Sequence, residues 1–99
     1  MAPPSQKIAA RHVLFDSESQ CRTQQQVLEA VTGDKEGVFK ELAREYSTCP
    51  SGAKGGDLGS FGPGQMVKEF DDVLFQLAPG GTSSCFSTQF GWHMGMRTS

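Results

Sequence analysis

Positive charge never gathers in this 99-residue chain. The net charge is −2, and Lys7, Arg11, Lys35, Lys40 and Arg44 stand apart from one another. Binding to a phosphate backbone draws on clustered Lys and Arg that release counterions, so no nucleic-acid partner is expected. Long apolar runs are missing too. No stretch of 18 or more apolar residues exists, so no spanning helix and no membrane partner are expected. The first residues, MAPPSQKIAARHVLF, lack the apolar centre of a secretory signal. Cysteine is sparse and odd in number: Cys21, Cys49 and Cys85 cannot all pair within one chain. With no export signal, reduced thiols and a cytoplasmic setting are expected, the nucleus and an organellar matrix being the other compartments left open. No CxxC or HxxxH spacing offers a metal site, and Lys54 precedes Gly55 where a phosphate-binding loop needs Ser or Thr. No cofactor is expected.

What the chain has in quantity is glycine, and half of it sits together. Residues 49–66, CPSGAKGGDLGSFGPGQM, are packed with glycine and proline before an apolar helical pattern takes over. Glycine permits positive φ and close approach of another chain. This stretch reads as a shaped loop, a short strand over 57–61 and a turn. Met66, Phe70 and Leu74 follow at helical spacing and floor the surface it holds open. An apolar seat beside a backbone-rich loop is a place for a peptide.

Around it the pattern is that of one α+β domain. Residues 1–6 read as a flexible start and residues 7–99 as a single folded unit. Ile8 to Phe15 alternate as a strand, with Ile8, Ala10, His12 and Leu14 on one face and Val13 and Phe15 on the other. A first helix follows a Ser17 or Ser19 cap and runs to about Val31, its apolar edge made by Cys21, Gln24, Val27, Leu28 and Val31. A second covers Lys35 to Tyr46, where Phe39, Leu42, Ala43 and Tyr46 form one stripe. A third is predicted over 65–76. Two strands, about 82–87 and 92–97, are joined by a turn with Gly91 as its positive-φ residue. The order is β-α-α-β-α-β-β. No internal repeat is visible, and the chain is expected to be a monomer.

Four fragments, taken in order, resemble one family. They are RHVL on the first strand, F-x-x-L-A-x-x-Y-S on the second helix, CPSG-x-x-GGDLG-x-F-x-x-GQMV-x-x-FD-x-V-x-F, and TQFGWH near the end. Together they look like a parvulin, a class of peptidyl-prolyl cis-trans isomerase, over about residues 9–97. The resemblance implies a four-stranded antiparallel sheet surrounded by helices. It implies a catalytic centre of His12, Cys49, Thr88 and His93. It implies a proline pocket of Leu58, Met66 and Phe70, bordered by Gln65, with Phe90 on the rim where phosphate-selective relatives carry Ser. Ser84 and Cys85 depart from a frequent Gly-Pro, and Lys68 from a frequent Pro. Gly95 stands where a branched strand residue is expected.

Rotation about an X–Pro bond makes and breaks no covalent bond, so neither nucleophile nor metal is required. The histidines are read as a structural pair that fixes each other's tautomers. The loop after the first strand, Asp16 to Gln20, carries two acids and no cation, which disfavours a phosphorylated substrate. The predicted function is therefore isomerisation of X–Pro bonds with apolar or uncharged X, in proline-containing peptides and flexible protein segments, in aid of folding. The alternative is a proline-peptide binding or chaperone module whose catalysis is incidental. A thiol hydrolase built on Cys49 is disfavoured because no helix is expected to begin there and lower its pKa.

Overall fold

Residues 7–99 are described in this computed structural model; the start expected to be flexible, residues 1–6, lies outside them. In chain order the elements are β1 (Ile8–Phe15), α1 (Glu18–Glu29), α2 (Lys35–Tyr46), a 3-10 turn (Pro50–Lys54), β2 (Asp57–Phe61), α3 (Lys68–Leu74), β3 (Phe86–Thr88) and β4 (Gly91–Arg97). The strands form one antiparallel sheet in the order β2-β1-β4-β3. The long strands β1 and β4 lie at its centre, in a register that sets Leu14 opposite His93 and His12 opposite Gly95.

The period-2 alternation of β1 divides the core in two. Val13 and Phe15 point to one face with Met94 and Met96, where α1 and α2 add Cys21, Leu28, Phe39, Leu42 and Ala43. Ile8 and Ala10 point to the other, where Phe61 of β2 and Phe70 and Leu74 of α3 close over them. His12 and His93 are buried on this second face.

Gly95 now has a reason. A methyl group there would come within 2.6 Å of the Leu74 side chain. The missing Cβ lets α3 sit down on the sheet next to His12, so a branched residue would push the helix off the site.

Several boundaries differ from the sequence reading. Helix α1 starts at Glu18, with the Gln20 N–H donating to the Ser17 hydroxyl, and stops at Glu29 instead of Val31. Cys21 and Leu28 are buried, two turns apart on one face, while Val27 is 45 % exposed. Helix α3 is shorter at both ends than 65–76. The side chain of Gln65 is spent on the loop, accepting from the Gly62 N–H, and the chain turns helical only after Val67. The strand expected over 82–87 is broken: Thr82 makes a lone bridge to Met96, and regular pairing begins at Phe86. Ser83 causes the break, because its hydroxyl accepts from the Gly95 N–H while its own N–H donates to the Gly95 carbonyl. The turn glycine, Gly91, has φ 142° as expected.

The largest correction concerns cysteine. Cys21 and Cys85 are joined in a disulfide, and Cys49 alone is free. The two are 64 residues apart in sequence, yet α1 lays Cys21 against the sheet where the segment entering β3 passes, with Cα atoms 6.2 Å apart. The Gln25 side chain holds the same segment by accepting from the Cys85 N–H at 3.1 Å. The expectation of three reduced thiols therefore fails for this pair, and the argument it lent to a reducing compartment goes with it. Reducing the bond should lower stability by about 2–4 kcal/mol, because the denatured chain regains the freedom of a long loop. Urea unfolding with and without a thiol reductant measures this; equal midpoints would show that the bond constrains nothing.

Candidate functional site

The site is assembled from the sheet outward. Diagonal neighbours on one face of an antiparallel pair lie within reach of ring side chains. His12 and His93 hold such positions on β1 and β4, and their Nδ1 atoms meet at 3.2 Å with the rings nearly parallel. The chain leaving α2 then covers the end of β1 that β2 leaves unpaired. The Leu14 N–H donates to the Ser47 hydroxyl at 3.0 Å, and the Thr48 N–H donates to the Leu14 carbonyl at 2.9 Å. This contact delivers Cys49 beside His12.

A 3-10 turn begins at Pro50 directly after Cys49, which is its cap residue. This corrects the expectation that no helical turn starts there; proline at the first position favours one. The turn brings round Ser51, a residue the sequence reading missed. Its hydroxyl lies 3.0 Å from His12 Nε2 and 3.3 Å from Cys49 Sγ. At the other end, His93 Nε2 lies 2.7 Å from Thr88 Oγ1, which also accepts from the Phe90 N–H at 3.1 Å. The polar groups thus form a single chain, Thr88–His93–His12–Ser51–Cys49.

Burial lowers His12 from its ordinary 6.5 to about 4, with the neighbouring His93 adding to the effect. Burial lowers His93 to about 4 as well, against a weaker upward pull from Glu69. Both rings are neutral at pH 7. A contact between two Nδ1 atoms then needs one donor and one acceptor, so the two rings hold opposite tautomers. If His93 donates, His12 donates onward through Nε2 to Ser51, and Ser51 donates to Cys49. If His12 donates, the direction reverses and His93 donates to Thr88. The row sets the polarity of the pocket wall as a unit.

Above this polar row lies an apolar cavity of about 410 Å³. Its floor includes Leu58, Met66, Val67 and Phe70; Leu14, Thr48, Cys49, Pro50 and Phe90 surround it, and His12 and His93 underlie it. Phe70 fixes the base: its edge meets His93 at 4.8 Å, His12 at 5.3 Å and Phe86 at 5.5 Å between ring centres. Phe86 in turn stacks on His93 at 5.4 Å. Phe90 is 63 % exposed at the rim.

Of the residues named from the sequence, His12, Cys49, Leu58, Met66, Phe70, Phe90 and His93 meet in this one cavity. Thr88 stands a layer behind, reaching it through His93. Gln65 is exposed and is outside the lining; its carbonyl oxygen accepts from the Gly62 N–H of its own loop. Leu14 and Phe86 were missed although strand alternation pointed to both, Leu14 from its shared face with His12 and Phe86 from its place two residues before Thr88. Ser51 gave no signal beyond nearness to Cys49.

An apolar pocket set on hydrogen-bonded neutral histidines offers a seat for an apolar ring and no nucleophile aligned for covalent chemistry. The comparisons agree with the geometry. Residues 12–98 match the rotamase family described as the PPIC-type PPIase domain, and the chain belongs to that family, the parvulins. It is 42% identical over 89 residues to the foldase protein PrsA of Geobacillus kaustophilus, covering 89% of this chain and 30% of that protein. It superposes on one of two SurA-like chaperones of Campylobacter jejuni with a TM-score of 0.90 and 32% identity, over 94% of this chain and 38% of the other. It superposes on NmPin, the parvulin of Nitrosopumilus maritimus, with a TM-score of 0.80 and 34% identity, over 98% of this chain and 100% of the other. The chain thus spans under a third of the length of the first curated relatives it matches.

Proposed function

We propose that this chain interconverts the cis and trans forms of X–Pro bonds in peptides and flexible protein segments, without covalent chemistry, and so assists folding. The observation that carries the proposal is the apolar cavity of Leu58, Met66 and Phe70 set directly over two buried, neutral histidines. The bond strongly resists rotation, with a barrier of about 18–20 kcal/mol. Its planar ground state is more charge-separated than the twisted form. A pocket that seats the pyrrolidine ring and removes water therefore favours the twist. Lowering the barrier by about 5.5 kcal/mol gives ~10⁴-fold acceleration. Histidines with pKa values near 4 are poorly matched to proton transfer at pH 7, which supports a role in shaping the wall rather than in carrying protons.

The rim supports a reading of the substrate class. No Lys or Arg lines the cavity. Arg22 is engaged with Glu18 at 3.0 Å, and Arg11 with Glu36 and two backbone carbonyls. With Phe90 on the rim, the residue before proline is read as apolar or uncharged, with no need for a phosphate. Among the described residues the exposed large apolar side chains are Val27 and Phe90, and the second belongs to the cavity, which supports a monomer.

The relatives' descriptions as foldase and chaperone favour a second reading, in which holding a proline segment is the selected task and rotation is incidental. Both are decided by a panel of short X–Pro peptides in a protease-coupled or NMR exchange assay. Catalysed exchange with X = Leu or Ala, and little with phosphoserine or Glu, is the expected result. A preference for phosphoserine or Glu overturns the specificity, and binding without acceleration overturns the catalytic reading.

A further inference from the structure

The loop 62–67 carries Met66 and Val67 into the cavity. It hangs between Phe61 and Phe70, both buried in the core on the α3 face. Between those anchors the loop makes few bonds. The Gly62 N–H donates to Gln65 Oε1 at 2.6 Å, a bond internal to the loop. The Gly64 N–H donates to Asp71 Oδ2 at 2.7 Å. Asp71 is on α3, immediately after Phe70. Its carboxylate therefore ties the tip of the loop to the helix that supplies the base of the seat.

The other oxygen of the same side chain is Asp71 Oδ1. It is shielded from solvent and meets no donor among the described residues. A buried acceptor left without a donor is a cost to the fold. The hydrogen bond this carboxylate makes to the rest of the protein goes to the loop, at its exposed tip.

We infer that Asp71 is a positioning residue for substrate: it holds Met66 in place before the peptide arrives. The inference rests on the cavity being the proline seat. A loop ordered in advance spares the complex the entropy of ordering it on binding. That saving applies equally to the bound ground state and the transition state, so its loss raises KM and leaves kcat alone. A charge-assisted bond to a backbone N–H is among the stronger kinds, and losing it is expected to be read as about a tenfold weaker KM.

The test uses Asp71→Ala and Asp71→Asn, with steady-state kinetics on an Ala-Leu-Pro peptide, melting curves and ¹⁵N relaxation of the Gly64 and Gln65 amides. Asp71→Ala should raise KM about tenfold, keep kcat within twofold, melt no lower than the parent and loosen both amides. Asp71→Asn keeps one carbonyl oxygen for the Gly64 N–H and should recover most of the KM. An unchanged KM in Asp71→Ala, a joint fall of kcat and melting temperature, or no rescue by Asn each overturns the inference. Titrating the parent chain separates it from the reading beneath. If the parent's Met66 methyl responds to peptide while Asp71→Ala binds equally well, only the role of Asp71 is lost. If the parent's Met66 does not respond, the seat and the positioning role fall together.

Discussion

Acidification from pH 7 to pH 4 should remove on the order of 3 kcal/mol of stability through two buried histidines. His12 and His93 both fall from an ordinary 6.5 to about 4 in the folded chain. Above pH 6.5 the rings are neutral in both states and pH has no effect through them. Between 6.5 and 4 the unfolded chain binds a proton on each ring that the folded chain refuses, so stability falls as pH falls. Below about 4 both states are protonated and the loss is complete. At 1.36 kcal/mol per pKa unit, a drop of about 2.5 units gives on the order of 3 kcal/mol for His12, with a smaller share from His93, whose shift is opposed by Glu69. For a domain whose whole stability is of the order of 5–15 kcal/mol, this is the difference between folded and marginal. Urea midpoints taken across pH 4–7 measure it, and a profile flat over that range would refute burial as the governing cause. Activity gives a second reading. Where the chain is still folded, the rate should hold steady from pH 7.5 to about 5, because neither ring charges there. A rate that drops with an apparent pKa of 6.5 would mean a titrating histidine in the reaction.

The second large effect is at Phe70. Its ring is 5 % exposed and touches both histidines and Phe86 edge-on. Truncation to Ala should cost about 3–5 kcal/mol of stability, which confuses loss of site with loss of fold. Leu keeps much of the volume and should cost on the order of 1–2 kcal/mol. Yet it removes the flat surface on which a pyrrolidine rests and the edge contacts that hold the histidine rings. We expect Phe70→Leu to remain folded at 25 °C and to lose about a hundredfold in kcat/KM, equivalent to about 2.7 kcal/mol of transition-state stabilisation. Were Phe70 only core, the rate per folded molecule would be unchanged.

Much of this was readable in the chain because it is set by local period. The alternation of Ile8 to Phe15 placed His12 and Leu14 on the face that becomes the site, and the Phe39–Tyr46 stripe defined α2. The pairing of His12 with His93 needs the register of β1 on β4, which no local pattern contains; the family resemblance supplied it. What escaped depends on side chains competing with backbone. Gln65 spends its amide on Gly62 and delays α3, and Ser83 breaks the strand before β3. Cys21 and Cys85 meet only because α1 crosses the sheet at that point, which a separation of 64 residues cannot disclose. Gly95 looked like a weak strand residue until Leu74 was seen to occupy the space of its absent side chain.

The central claim is that Leu58, Met66 and Phe70 seat the proline ring and thereby free its amide to rotate. Methyl and aromatic NMR spectra of the chain, recorded during titration with an Ala-Leu-Pro peptide and followed by exchange spectroscopy on that peptide, test it most directly. The account predicts selective shifts at these three residues, with cis–trans exchange cross-peaks that appear at sub-stoichiometric protein. Unmoved signals at all three, or exchange catalysed while the shifts map elsewhere, would contradict it.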